Sequence, residues 1–265
     1  MPKPEKAIYT TSLAGLRKAG PGYTRAYFGA EFCQWRLPGR AGLAGAIALA
    51  EGRGMSFTLV TPWVTDEGIR RLKALFRVLT GAGMKEAEVV VNDYGVLTLL
   101  REEFPGLAPV LGRLLVKRKC CPRIPGMLEG MPDAGRDIYL HAGMEDPVAA
   151  GLIKGFGVKR VDMDVPLQGL APDLKSAGLR GSVYTPYAYV TTTRHCPASF
   201  DGTGWQAFEG CRLKGCLKNV LSLTNPAHEA RLLMRGNTQF VENRELPEGL
   251  AAMGIDRIVY MEDVP

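Results

Sequence analysis

Eight short runs of β-branched and aromatic residues, separated by longer amphipathic runs, leave this chain few architectures to fold into. The runs are Ala7–Thr10, Arg25–Phe28, Ser56–Val60, Glu88–Val91, Val110–Leu115, Arg160–Asp162, Gly181–Tyr187 and Arg257–Tyr260. Such alternation is the pattern of βα units built around a parallel sheet. In "DEGIRRLKALFRVLTGAG", Ile69, Leu72, Leu75, Phe76 and Leu79 recur at helical spacing and Gly81 and Gly83 end the run, which predicts a helix. A similar run, "NDYGVLTLLREEF", follows the fourth strand. Eight repeats in 265 residues predict an α/β fold of the TIM-barrel-like (β/α)8 type. In that fold the functional groups sit at the carboxyl ends of the strands. The prolines and glycines from Pro122 to Gly143 make the middle of the chain irregular. With no linker composition, low-complexity tract or repeat, a single domain over residues 1–265 is expected.

Composition bears on compartment and partners. An apolar fraction of 46% with 23% charged residues describes a soluble globular chain. The longest low-charge stretch, Ala41–Ala50, is too short to cross a bilayer, so no membrane span is expected. The opening "MPKPEKAIYTTS" has no apolar core or cleavage-like site, which leads us to expect a cytoplasmic protein. In that reducing compartment the six cysteines read as metal or redox ligands rather than disulfides. A net charge of +6 is compatible with an anionic partner without specifying one.

The cysteines are unevenly placed. Cys196, Cys211 and Cys216 fall within "HCPASFDGTGWQAFEGCRLKGC" after the seventh strand, and Cys33 follows the second in "YFGAEFCQWR". In a barrel both positions open onto one rim, where four thiolates suit an iron–sulfur cluster or zinc. Gly210 and Gly215 precede two of them and let backbone amides turn toward sulfur, and a spacing of five favours a loop over a helix face. The bland alternative is small buried hydrophobes; the polar, glycine-rich surroundings argue against it. A zinc knuckle would usually offer two close ligand pairs, so the pattern leans toward iron and sulfide. His195, beside Cys196, reads as a neighbour of the site or a solvated side chain.

Three stretches, "RAYFGAEFCQWR", "VVVNDYGVLTLL" and "TPYAYVTTTRHCPASF…GCRLKGCLKNVLSL", resemble the second-strand, fourth-strand and cluster segments of peptidase family U-32, and within it the UbiV-like branch. The branch feature is the cysteine that closes the Y-x-G-x-x-x-C pattern, here Tyr27 to Cys33. The resemblance implies that Cys33, Cys196, Cys211 and Cys216 ligate a 4Fe-4S cluster. It further implies oxygen-independent hydroxylation of a quinone-precursor aromatic ring, with prephenate as oxygen source, a homologous UbiU-like protein as heterodimer partner and a lipid-carrier helper. Other members hydroxylate tRNA or rRNA bases, so RNA is the alternative substrate. A third reading is a non-catalytic electron-transfer or scaffold protein. Peptidase chemistry finds little support: the sequence has no Gly-x-Ser-x-Gly elbow and no His-Glu-x-x-His helix, and its histidines are His141, His195 and His228.

Further candidates follow strand ends. Glu31 and Asp93 stand where a barrel puts catalytic groups, with helix capping as the rival role for Asp93. Asp162 and Asp164 share one strand face and read as salt-bridged structural acids. The run Arg113, Lys117, Arg118, Lys119 and Arg123 reads as a solvated basic face, or as a loop for phosphate, RNA or an anionic donor. Cys120 and Cys121, being adjacent, stand outside the ligand set. Trp35, Tyr94, Tyr184 and Tyr187 are candidates to line an aromatic pocket or simply to pack.

Overall fold

The computed structural model describes residues 3–84, 87–199, 210–211 and 215–265. Strands β1 (Glu5–Thr10), β2 (Arg25–Gly29), β3 (Ser56–Val60), β4 (Glu88–Val91), β5 (Ala108–Leu111), β6 (Arg160–Asp164) and β7 (Arg180–Thr185) run in parallel around a closed barrel. β8 (Tyr187–Thr192), β9 (Leu221–Asn225), β10 (His228–Arg235) and β11 (Thr238–Glu242) form a separate antiparallel sheet in the order β8-β11-β10-β9. β12 (Ile255–Met261) then returns to the barrel between β7 and β1 and completes eight strands. Helices α1 (Leu13–Lys18), α2 (Arg40–Gly52), α3 (Asp66–Gly81) and α4 (Tyr94–Glu103) link β1 through β5. Between β5 and β6 lie α5 (Arg113–Val116), α6 (Ile124–Leu128), α7 (Asp133–Leu140) and α8 (Pro147–Gly155), so the irregular stretch from Pro122 to Gly143 holds short helices. No described helix is long and apolar enough to cross a membrane.

Each barrel strand divides its side chains by parity, as a strand buried on both faces must. Ala7, Tyr9, Tyr27, Val60, Val90, Val110, Tyr184 and Val259 pack together as one cluster inside the barrel. Their sequence neighbours Ile8, Phe28, Leu59, Val89, Val91, Leu111, Val161 and Val183 join the helices in the outer core. In α3, Leu72, Leu75, Phe76 and Leu79 are buried in that layer and Ile69 packs against it, as their spacing predicts. At Gly29 a Cβ would stand 2.2 Å from the Val60 carbonyl oxygen, and φ is +139°, so only glycine fits the end of β2.

The amino-terminal end of the barrel is closed by charge. Arg257 reaches Glu5 Oε2 and Glu88 Oε2, each at 2.6 Å, while Arg25 donates to Glu5 Oε1 at 2.9 Å. These contacts hold the Glu5 and Glu88 carboxyls below their ordinary range even though burial acts the other way.

Two strand expectations need correction. The fifth strand ends at Leu111 instead of running to Leu115, because Asn92 turns the chain. Its Oδ1 accepts from Leu114 N at 2.9 Å, and a Cβ on Gly112 would lie 2.3 Å from that oxygen, so Gly112 leads directly into α5. The seventh ends at Thr185, and Tyr187 opens β8 in the other sheet. Pro186 between them has no N–H to contribute to a ladder. The repeat is also incomplete: turns rather than a helix join β6 to β7, and between β7 and β12 the described residues form the small sheet and 3-10 turns rather than an α-helix.

Asp162, fully buried on β6, accepts a 2.7 Å hydrogen bond from the Tyr184 hydroxyl. Burial pushes its carboxyl from 3.8 up to about 6, with the Tyr184 bond opposing. Between those values the folded chain holds a proton that the unfolded chain has released, so this group's contribution to stability falls as pH rises from about 4 to about 6. Asp162→Asn is expected to remove that slope and to be more stable than wild type above pH 6 by about 2–3 kcal/mol, as an order of magnitude. Urea unfolding of both proteins across this range checks it.

Candidate functional site

Segments from three parts of the chain meet on the carboxyl-end rim. The loop after β2 carries Cys33, a 3-10 turn over Gln34–Arg36, and Trp35. The loop after β8 carries Cys196, followed by a 3-10 turn over Pro197–Ser199. A third 3-10 turn, Gly215–Leu217, holds Cys216. Cys33, Cys196, Cys211 and Cys216 together line one cavity of about 200 Å³, with Arg36 and Arg235 on its wall. All six cysteines are free thiols. Residues 200–209 and 212–214 of the cysteine-rich loop predicted here lie outside the described residues.

The tip of the β10–β11 hairpin, Arg235-Gly236-Asn237, closes the cavity on another side. Asn237 Nδ2 donates to Phe32 O at 2.8 Å and to Thr193 O at 2.7 Å, and Thr193 N donates to Asn237 O at 3.1 Å. Arg235 Nε donates to Cys216 O at 2.9 Å. A Cβ at Gly236, where φ is +62°, would stand 3.0 Å from Cys216 Cβ and within 3.8 Å of the Cys216 and Cys196 sulfurs. The glycine thus lets those two thiols flank the turn. No strand is predicted between Thr193 and Asp256, so this hairpin has no place in the sequence reading. Its signal is the two-residue Gly236-Asn237 loop between "HEARLLMR" and "TQFVE".

The electrostatics of the cavity are mixed. Burial raises the Cys33 thiol to about 11, with the neighbouring Cys216 and Cys196 adding to the effect. Burial also raises Cys196, opposed by the Ala198 amide. Arg235 is lowered by burial and by the charge of Arg36 beside it. Arg36 is fixed by a 3.2 Å bond to Thr11 Oγ1. Among the described residues, no three Cys, His, Asp or Glu side chains close around a point as the ligands of a single ion would.

The other candidates occupy structural positions. Glu31 is buried, and Arg113 donates to both its oxygens, at 3.1 Å from Nε and 2.5 Å from Nη2. Arg113 Nη1 also reaches Asp164 Oδ1 at 2.7 Å and Tyr187 O at 3.1 Å. The guanidinium lies 4.1 Å from the Tyr184 ring centroid, and Phe32, Tyr189 and Phe240 pack over the mouth. Asp93 caps α4, accepting from Gly95 N at 2.7 Å and Val96 N at 3.2 Å, and its other oxygen accepts from Val64 N. Asp164 is ion-paired as expected, whereas Asp162 has Tyr184 as partner and no ion pair among the described residues.

The basic run is not one solvated face. Arg113 and Arg118 are buried, and Arg118 donates to the carbonyls of Leu140, Tyr139 and Gly169. Of the aromatic candidates Trp35 lines the cavity, Tyr184 fills the barrel, Tyr94 is exposed and Tyr187 packs beside the mouth. Cys120 is buried against Ala188, Leu232 and Val241, and Cys121 stands beside Arg123; neither lines the cavity.

No family model matches the chain, and no curated protein matches it in sequence. Among solved structures it is similar to the one titled "The Structure of the U32 Peptidase Mk0906", with a TM-score of 0.52 and 12% identity over 99% of this chain and 94% of that one. At that identity the likeness is one of fold. A glycoside hydrolase family 18 N-acetylglucosaminidase from Paenibacillus barengoltzii aligns with a TM-score of 0.40 and 11% identity over 97% of this chain and 94% of that one.

The mouth geometry yields a stability test. Arg113→Met would leave Glu31 and Asp164 buried without their cation, and is expected to cost about 3–5 kcal/mol. Denaturant unfolding measures it.

Proposed function

We propose that this chain carries a 4Fe-4S cluster, held by Cys33, Cys196, Cys211 and Cys216, and serves as a UbiV-like subunit of an oxygen-independent hydroxylase. The observation that carries the reading is the lining of one cavity by four thiols, one from the loop after β2 and three from the connection between β8 and β9. The donor chemistry fits the group. Thiolates are soft ligands suited to iron and sulfide, and among the described residues no carboxylate or histidine lines the cavity with them. Arg36 and Arg235 would offset the negative charge of four thiolates. When bound, such a cluster supplies one-electron chemistry.

The remainder of the proposal follows from the resemblance of the second-strand, fourth-strand and cysteine segments. The substrate would be an aromatic ring of quinone-precursor type and prephenate the oxygen source. A homologous UbiU-like protein would be the partner, with a lipid carrier as helper. The cytoplasm is the proposed compartment. Hydroxylation of tRNA or rRNA bases is the weaker variant, since burial withdraws Arg113 and Arg118 from any basic face.

A second reading, in which the chain only carries electrons or scaffolds its partner, is favoured by the sealed barrel mouth. Glu31 is enclosed with Arg113 and offers no face to a substrate. Asp93 has both carboxylate oxygens engaged by backbone amides.

Anaerobically prepared protein is expected to contain about four irons and four sulfides per chain. Cys33→Ser should lose iron as severely as Cys196→Ser, Cys211→Ser or Cys216→Ser, whereas the double change of Cys120 and Cys121 to Ser should keep it. Stoichiometric zinc without iron, or a Cys33 variant with undiminished iron, would overturn the reading. Turnover by the isolated chain, given donor and substrate, would remove the need for a partner.

A further inference from the structure

The hairpin tip Arg235-Gly236-Asn237 contacts the segments that carry Cys33, Cys196 and Cys216. Asn237 uses one nitrogen for two carbonyls on different loops: Phe32 O, immediately before Cys33, and Thr193 O, three residues before Cys196. A turn residue needs neither bond to make a hairpin, because a Gly-Asn loop is favoured by backbone conformation alone. Arg235 takes the carbonyl of Cys216 itself. Gly236 leaves the space into which Cys216 and Cys196 press, its missing Cβ standing 3.7 Å from one sulfur and 3.8 Å from the other. Behind the tip, Thr238 Oγ1 bonds Asn237 Oδ1 at 3.2 Å and Thr192 Oγ1 at 2.9 Å, which fixes the amide so that its N–H groups face the two carbonyls.

From this geometry we infer that Asn237 and Arg235 are positioning residues that assemble the cysteine cavity in the metal-free protein: Asn237 sets Cys33 against Cys196, and Arg235 sets Cys216 beside them. The inference rests on the cavity being the functional site, as proposed above, but the clamp does not depend on what the cavity binds. It also assigns different duties to two residues on either side of Gly236, which general destabilisation of the hairpin would not reproduce.

The test uses the full chain, reduced and freed of metal, with dibromobimane as probe. This reagent fluoresces once both of its arms have alkylated thiols, and peptide mapping identifies the pair. Wild type is expected to give Cys33–Cys196 and Cys196–Cys216 products. Asn237→Asp keeps the shape but sets a carboxylate against two carbonyl oxygens, and should lower the Cys33–Cys196 product by about tenfold or more, given the loss of two hydrogen bonds. Arg235→Gln should lower the Cys216 product and spare the Cys33–Cys196 product. Hydrogen exchange on metal-free wild type needs no variant: the Thr193 amide, which donates to Asn237 O, should be protected.

Exchange of that amide at the free-chain rate would overturn the clamp. So would absence of both cross-links from wild type, or wild-type yields from Asn237→Asp. Wild type that cross-links as expected but takes up no iron would instead overturn the cluster reading and leave the clamp standing.

Discussion

The Arg113 guanidinium is the interaction on which the mouth of this barrel depends. Burying one cation with two carboxylates is costly unless every charge is paired and hydrogen-bonded, and here the geometry is complete. The fork meets Glu31 with Nε and Nη2 and Asp164 with Nη1, and its flat face lies over Tyr184. Each partner belongs to a different part of the molecule. Glu31 precedes Cys33 in the loop after β2, Asp164 ends β6, and the Tyr187 carbonyl begins the small sheet. Asp164 also accepts from Tyr189 N at 3.0 Å, so the same charge cluster seats β8 on the barrel.

That arrangement decides where chemistry has room. A TIM barrel usually works on its axis, above the carboxyl ends of the strands. In this chain the axial position is filled by the Arg113 cluster and by Phe32, Tyr189 and Phe240. The open volume with reactive side chains lies to one side, between the loop after β2 and the small sheet. The sheet inserted between β7 and β12 is therefore both a plug for the axis and a wall for the cysteine cavity.

The sequence made the barrel legible because parallel strands buried on both faces leave short runs of β-branched and apolar residues, such as Val89–Val91 and Phe57–Val60, that stand out from amphipathic helices like α3. The four cysteines were legible as a group because three of them are close in sequence, although these follow β8 of the small sheet and not a barrel strand as expected. The small sheet was not. β9 and β10 are largely exposed or half-buried, so their sequences lack the apolar runs that mark the barrel strands. Arg113 and Arg118 misled for a related reason: a run of basic residues looks solvated until tertiary structure supplies buried acids and carbonyls, and nothing local in "GRLLVKRKCCPR" reveals them. Glu31 and Asp93 stand at strand ends as a catalytic pattern requires, yet the same positions serve an ion pair and a helix cap.

The bond from Asn237 to Phe32 O spans 205 positions of the chain. Contacts so distant in sequence form late, since the chain must first order much of what lies between. During synthesis Phe32 and Cys33 emerge long before the hairpin tip that holds them, and β1 cannot gain its β12 neighbour until still later. Cys196, Cys211 and Cys216 are neighbours along the chain, but Cys33 joins them only through contacts that span most of its length. A cavity lined by all four thiols therefore belongs to the finished chain and to no single segment of the growing polypeptide.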